Sequence, residues 1–379
     1  MEPATLSRAR PWLERLWQRD LTASQRAAWT ALAPISILYS RALGLRARWW
    51  RAMGRGAGVV TISVGNLTVG GNGKTPFALY LANRLAEQGY RAAIVSRGYR
   101  GIGRGAAMVA DGGRLLLTPR LAGDEPAMMA RSFRGPIAIA RRRLEAIRML
   151  TERTPLDVVV LDDGFQHLRL RRGLDLLLVN EARGFGNGWV LPAGPLREPI
   201  GAIARADAAV LIATRGDGDG LRAAERALLE GKPLLRATIR PRSLIRLEGR
   251  EWREGPLALR GRSVVAVSGL ADPAGFHSML RTLGAELAAV LNYPDHHDYG
   301  PGDWENILAA ALGAELVVTT EKDLIKLERF SPAQVSLYAL RVEVTMTDED
   351  EARLFGMITQ RIPRAATAPP AAAASSQQE

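Results

Sequence analysis

The segment 66–76, NLTVGGNGKTP, carries the residue types that hold a polyphosphate. Gly70, Gly71 and Gly73 let backbone amides turn inward toward phosphate oxygens, and a helix opening at Lys74 and Thr75 would point its positive end at the same anion. Lys74 would reach the β- and γ-phosphates, and the Thr75 hydroxyl suits Mg²⁺. The nucleotide is therefore assigned to Thr68, Val69, Gly70, Gly71, Asn72, Gly73, Lys74 and Thr75. Composition sharpens this reading. Lysines occur only at 74, 232, 322 and 326, so Lys74 stands alone in the first 231 residues of an arginine-rich chain. A compact ammonium fits a phosphate loop where a planar guanidinium does not. One position departs from the general pattern: Thr68 stands where glycine is usual. The competing reading is a glycine-rich turn that merely contains GKT.

A second constellation is acidic. In DVVVLDDGFQH (157–167) an apolar run ends in Asp162 and Asp163, the arrangement in which a strand-end carboxylate holds Mg²⁺ near a phosphate loop. Adjacent aspartates repel unless a cation or basic group lies close. Asp-Asp-Gly is also ordinary turn chemistry. A further pair, Asp124 and Glu125, opens a helix with Pro126 in its first turn. Asp124 reads either as a helix cap or as a catalytic base. The chain has four histidines, at 167, 277, 296 and 297, and the last two lie in the acidic, aromatic loop YPDHHDYG. His277 falls in a predicted helix and reads as structural.

These residues need a scaffold, and the pattern supplies one. Apolar runs at 58–65, 91–96, 136–140, 157–161, 175–179 and 208–213 read as strands, with helices at 75–88 and 141–152 between them. The alternation predicts α/β: a P-loop NTPase-type parallel sheet with helices on both faces. A second, smaller α/β pattern follows, with strands at 263–268 and 316–320 and a helix at 273–283. The expected division is an N-terminal interfacial segment at 1–55, a P-loop core at 56–215, a C-terminal α/β domain at 216–362 and a disordered tail at 363–379.

The first segment has its own character. It holds ten arginines against Glu2, Glu14 and Asp20, and five of the chain's eight tryptophans (Trp12, Trp17, Trp29, Trp49, Trp50). Leu32, Ile35, Tyr39, Ala42 and Leu45 recur at helical spacing. An amphipathic helix rich in Trp and Arg suits a membrane–water interface; the alternative is a helix packed on its own domain. No stretch approaches the roughly 20 apolar residues of a spanning helix, and no cleavable signal peptide is evident.

The bulk numbers set outer limits. With 379 residues the chain can form two ordinary domains. The absence of cysteine excludes disulfides, thiol nucleophiles and Cys-ligated metals. The net charge of +12 suits a polyanionic partner, although arginine-biased composition accounts for part of it.

Taken in order, VGNLTVGGNGKTP (64–76), SRGYRG (96–101), GDEP (123–126), DDGFQH (162–167), LPAGPLREP (191–199), YPDHHDY (293–299) and TTEKD (319–323) resemble the tetraacyldisaccharide 4′-kinases of lipid A biosynthesis. The resemblance covers about residues 30–330, and the Thr68 departure is usual in that family. It implies transfer of the γ-phosphoryl of ATP to the 4′-hydroxyl of an acylated glucosamine disaccharide 1-phosphate. It implies a peripheral protein on the cytoplasmic side of the bacterial inner membrane, docked through its N-terminal segment. It implies that Asp124 is the general base, paired with His296, and that Glu125, Asp162 and Asp163 organise Mg²⁺. Gln166 and His167 are expected to line the site, and Arg197 is a candidate for the acceptor's 1-phosphate. The expected cofactors are ATP and Mg²⁺, and the expected protein is a monomer with no nucleic-acid partner. The rival readings are a P-loop ATPase that binds nucleic acid and a GTPase-like module, the latter suggested by TTEKD.

Overall fold

The computed structural model describes residues 16–17, 22–98, 105–213, 220–247, 251–330 and 335–362. The tail expected at 363–379, most of the Gly/Asp-rich turn at 214–220 and the second half of SRGYRG lie outside the described residues.

The strands are β1 (Val60–Gly65), β2 (Ala92–Ser96), β3 (Ala107–Asp111), β4 (Arg114–Leu115), β5 (Ile137–Ile139), β6 (Val158–Asp162), β7 (Leu174–Asn180) and β8 (Ala208–Ala213). They continue with β9 (Leu234–Leu247), β10 (Glu251–Glu254), β11 (Ser263–Ser268), β12 (Glu286–Asn292), β13 (Leu316–Thr320) and β14 (Leu337–Met346). All join one sheet, in the order β12-β11-β13-β14-β9-β8-β7-β1-β6-β2-β5-β3-β4, with β10 paired to β9. From β9 to β5 every pairing is parallel, and so is every pairing from β12 to β14. The two parallel stretches meet at one antiparallel joint, β9 against β14, running from Ala339↔Ile245 to Met346↔Ala237. The edge strands β3 and β4 are also antiparallel.

Strands covered on both faces read as unbroken apolar runs. Every residue of β6 and of β7 is buried. On one face the helix Lys74–Glu87 sets Phe77, Leu81 and Leu85 against Ile62, Val64 and Val160. On the other, the helix Arg143–Arg153 sets Ala146, Ile147 and Leu150 against Val95, Val159 and Leu161. The helix Asp348–Thr359 returns to the first face and adds Leu354, Phe355 and Ile358 to the core under the phosphate-loop helix. An ion pair between Arg84 and Glu351 ties these two helices together.

The N-terminal helix runs over Ala23–Ala52 and begins with a capping box of Thr22 and Gln25. Its inner face is fixed to the body: the Ser36 hydroxyl accepts from the Ala193 amide at 2.9 Å, Trp29 packs edge-on against Trp189, and Arg169 lies over the Trp50 ring. Its outer face leaves Ile35, Leu38, Leu45 and Trp49 exposed. Leu38 and Trp49 extend the predicted stripe, whereas Leu32 turns half inward. Among the described residues no helix is long and apolar enough to cross a membrane.

Leu354 is fully buried in the core and does not line the cleft. Leu354→Ala is expected to destabilise the protein by about 2–5 kcal/mol, the usual cost of truncating a buried leucine. A urea unfolding curve measures this; an unchanged midpoint would mean that the C-terminal helix does not seal this core.

Candidate functional site

The sheet register places the first two groups. β1 lies between β6 and β7, and Val64 pairs with Asp162. The turn leaving β1 therefore begins beside the carboxylate that ends β6. Crevices at the carboxyl ends of such strands are where open α/β sheets bind ligands. The turn itself holds its shape by side chains. Asn66 Nδ2 donates to the Thr68 carbonyl at 2.8 Å, and Asn72 Nδ2 donates to Thr68 Oγ1 at 3.0 Å. The Thr68 hydroxyl thus supplies a side-chain acceptor that a glycine would lack. Gly73 sits at φ 70° with Ile239 and Ile212 against it, and an added Cβ would come within 2.6 Å of Ile239 Cδ1. Only glycine meets both conditions.

The helix then starts at Lys74, and its side chain folds back into the site. Lys74 Nζ donates to Asn66 Oδ1 at 3.1 Å and lies 3.6 Å from Asp163. Burial lowers its pKa, an effect that Asp163 partly offsets. Thr75 Oγ1 lies 3.4 Å from Asp162 Oδ1, and Ser96 Oγ donates to Asp162 Oδ2 at 3.1 Å.

The two adjacent aspartates have opposite fates. Asp163, at φ 49°, turns to meet Arg197 Nη1 at 2.9 and 3.0 Å. Burial alone would raise its pKa, but Lys74 and Arg197 outweigh this and hold it well below the usual carboxylate range. Asp162 is fully buried and has no such cation in contact among the described residues. Burial, together with the charges of Glu125 and Asp163, pushes its pKa up to about 7. A carboxyl this poorly compensated is a place where positive charge is wanted.

The second stretch of sheet brings the remaining groups. His296 Nδ1 lies 3.4 Å from Asp124 Oδ2, across 172 residues of sequence. Burial would raise the Asp124 pKa, but hydrogen bonds from His296 and Lys326 bring it below the ordinary value. Lys326 is a partner that the motifs did not disclose; its Nζ is 2.7 Å from Asp124 Oδ2. A lysine on an exposed-looking helical run carries no local signal, although the scarcity of lysine in this chain is one in retrospect.

A single open cleft of about 2850 Å³ is lined by Thr68–Thr75, Glu125, Asp162, Asp163, Gln166, His167, Arg197, His296 and His297. It reaches the N-terminal helix at Tyr39, Leu43, Arg46 and Trp50. Arg97, Arg141, Arg142, Arg143 and Arg169 line it too, none of them singled out by sequence. The Arg143 guanidinium is buried, donates to the Ala140 carbonyl at 3.2 Å, and with its neighbours depresses the His167 pKa. Burial is the larger cause and brings His167 down to about 4, so this imidazole is neutral at physiological pH. Gln166 Nε2 donates to the Asn66 carbonyl at 2.8 Å, bracing the phosphate turn. His277 lies buried on its helix, outside the residues lining the cleft.

TTEKD has a role other than base reading. Asp323 is fully buried, accepting from the Gly269 amide at 2.9 Å and the Thr320 hydroxyl at 2.7 Å. Its carboxylate holds the Thr320 hydroxyl, which caps the helix by accepting from the Asp323 amide, and anchors the neighbouring loop, so it is not presented to a nucleobase.

Comparison with known proteins agrees with this arrangement. The family model for tetraacyldisaccharide-1-P 4′-kinase matches residues 28–362. A tetraacyldisaccharide 4′-kinase of Anaeromyxobacter dehalogenans is 44% identical over 302 residues, covering 78% of each chain. One from Geobacter sulfurreducens is 38% identical over 347 residues, covering 89% of this chain and 95% of its own. The crystal structure of an LpxK from Aquifex aeolicus in complex with ATP superposes with a TM-score of 0.72 at 32% identity, over 88% of this chain and 99% of that one. With the phosphate turn, the strand-end aspartates and His296 lining one cleft, and Asp124 held behind His296, the chain belongs to the tetraacyldisaccharide 4′-kinase family.

Proposed function

We propose that this protein transfers the γ-phosphoryl group of ATP to the 4′-hydroxyl of a tetraacylated glucosamine disaccharide 1-phosphate, in the synthesis of lipid A. The observation that carries this reading is the cleft itself. It joins a phosphate-binding turn, an acidic strand end and the imidazole of His296, which meets the Asp124 carboxylate, and it opens toward a helix with an apolar outer stripe.

The triphosphate lies along Thr68–Thr75, with Lys74 swinging from Asp163 to the β- and γ-phosphates. The acceptor hydroxyl meets Asp124, which takes its proton as the oxygen attacks phosphorus. Asp124 is a weak base, and phosphoryl transfer through a loose transition state asks for position more than basicity. His296 holds the carboxylate in place. The residues present fit Mg²⁺: Asp162 and Thr75 are its nearest holders, with Glu125 and Asp163 alongside, and the undercompensated charge of Asp162 is the reason. Among the described residues no three acidic or histidine side chains form a complete metal cage, so phosphate oxygens and water would complete the shell. When bound, the ion neutralises charge on the β- and γ-phosphates. Arg197, already on Asp163, and the arginines along the cleft suit the acceptor's 1-phosphate.

The N-terminal helix is the membrane-facing element, and the protein acts as a peripheral, monomeric enzyme on the cytoplasmic face of the inner membrane. Ile35, Leu38, Leu45 and Trp49 form one stripe, with Arg46 on one flank and Arg41 and Arg48 on the other. Apolar residues enter the headgroup boundary while arginines meet anionic lipid. The acyl chains stay in the bilayer as the sugar head enters the cleft.

Three outcomes test this reading. Asp124→Ala is expected to lower turnover by about 10²-fold or more with KM for ATP little changed, the scale of a lost acid–base group; steady-state assay with ATP and the tetraacylated disaccharide 1-phosphate decides it, and turnover within about threefold of wild type would remove Asp124 from the role. Changing Leu38, Leu45 and Trp49 together to serine is expected to abolish sedimentation with anionic vesicles while leaving the Ser36–Ala193 contact intact; undiminished sedimentation sinks the docking assignment. For Asp162, the raised native pKa means that its ionisation opposes folding, a cost that grows as pH rises through the ordinary carboxylate range and levels off above about 7. Asp162→Asn should therefore raise the melting temperature of nucleotide-free protein more at pH ~8 than at pH ~5, and abolish the further stabilisation by Mg²⁺ with ATP. Equal shifts at both pH values would contradict the charge assignment.

A further inference from the structure

The helix Glu321–Leu327 is a platform for the histidine loop. Lys322 Nζ donates to Asp295 Oδ1 at 2.7 Å, Asp323 accepts from the Gly269 amide at 2.9 Å, and Lys326 Nζ donates to the His297 carbonyl at 2.9 Å. The loop needs such ties. His296 sits at φ 57°, a left-handed conformation that costs a non-glycine residue about 1–2 kcal/mol. Its own amide reaches the Gly269 carbonyl at only 3.4 Å.

Lys326 differs from the other ties in what else it touches. The same Nζ lies 2.7 Å from Asp124 Oδ2, at the start of the helix Asp124–Met129, which packs against this one. His296 Nδ1 approaches that same oxygen, at 3.4 Å. Among the described residues both contacts to Asp124 fall on Oδ2, which leaves Oδ1 as the oxygen to receive a proton. The Lys326 side chain is 10% exposed, so the pairing is shielded from water and not a surface ion pair. An ammonium offers its donors tetrahedrally and can serve a carboxylate and a carbonyl from two different elements; a planar guanidinium cannot reproduce those directions. In a chain with four lysines, two stand on this one helix.

We infer that Lys326 is a positioning residue for phosphoryl transfer: it fastens the Asp124 carboxylate to the histidine loop, so that His296 and Asp124 meet in one fixed geometry. This rests on Asp124 taking the acceptor's proton. Lys326 touches neither substrate nor reacting atoms in this role; it acts through Asp124 and His296.

A double-mutant cycle on the full-length enzyme tests it. Lys326→Met keeps the aliphatic stem and removes the donors. Its kcat is expected to fall by about thirtyfold or more, the scale of a misplaced catalytic group, with KM for ATP within about threefold. In an Asp124→Ala background the same substitution should change kcat by less than about threefold, because the group it positions is gone. Wild-type turnover in Lys326→Met, or an equal loss in both backgrounds, overturns the inference and leaves the Asp124 reading standing. Near-wild-type turnover in Asp124→Ala alone overturns that reading, and this one with it. Circular dichroism and calorimetric ATP binding report whether Lys326→Met folds. Should it not, Lys326→Arg takes its place in the cycle, with an expected loss of about tenfold that likewise vanishes without Asp124.

Discussion

Two adjacent carboxylates at the end of one buried strand cannot both be ionised unless cations come to them, and this protein answers the demand unequally. Asp163 receives Lys74 and Arg197, and Asp162 receives hydroxyls from Thr75 and Ser96. The inequality shapes the rest of the cleft. It draws Lys74 inward to Asp163 and Asn66, so the loop carries its own counter-charge. It also leaves one carboxyl raised toward neutrality, where bound positive charge would do most. A buried charge left single is costly, so the surrounding residues are arranged first by electrostatics and only then by packing.

That charge cluster is tied to the N-terminal helix through one loop. Arg197, which grips Asp163, follows closely on Ala193, whose amide rests on Ser36 of the helix. Leu196 is buried, the Arg197 amide donates to the Leu67 carbonyl at 2.7 Å, and Val69 donates to the Pro195 carbonyl at 2.9 Å. The loop 191–197 is thus hydrogen-bonded both to the phosphate turn and to the helix with the exposed apolar stripe. A helix that lay on a lipid surface would orient the acidic end of β6 relative to that surface with few intervening soft joints. The motif LPAGPLREP, which carries Arg197, is by its backbone a structural clasp as well.

What could be read from sequence followed from how local each signal was. The phosphate turn, the strand before it and the helix after it share one short stretch, and the Val64–Asp162 adjacency follows once β1 and β6 are neighbours in a parallel sheet. Apolar runs such as VVVL in β6 announce a strand buried on both faces. β9 gave no such sign. Its sequence LLRATIRPRSLIRL carries four arginines and Pro241, and proline argues against an interior strand. The structure resolves the conflict with a register shift: Arg341 pairs with Ser243 but Val342 with Pro241, so the proline sits at a bulge. β12 was equally silent, because an edge strand of ELAAVLN composition is half exposed throughout. Lys326 was invisible for a different reason, since its partner Asp124 is some 200 residues away in sequence and no periodicity encodes a contact between such distant elements.

The same bulged joint explains why the site could not be assembled from motifs alone. The phosphate turn, Asp162 and Asp163 belong to the stretch of sheet built on β1 and β6, whereas His296 and Lys326 belong to the stretch built on β11 and β13. The two stretches share no parallel pairing; they are held in register by β9 against β14. Ile239 of β9 also packs on Gly73, so the strand that joins the two stretches is the strand that backs the phosphate turn. The 3.4 Å between His296 and Asp124 therefore depends on an antiparallel pairing and on the packing of the helix Glu321–Leu327 against Asp124–Met129, where Lys326 meets Asp124 and Arg131 meets Glu328. Chemistry that depends on such a distance is specified by the assembly of two half-sites. For this reason the residues that hold the halves together carry as much of the site's meaning as those of the glycine-rich turn.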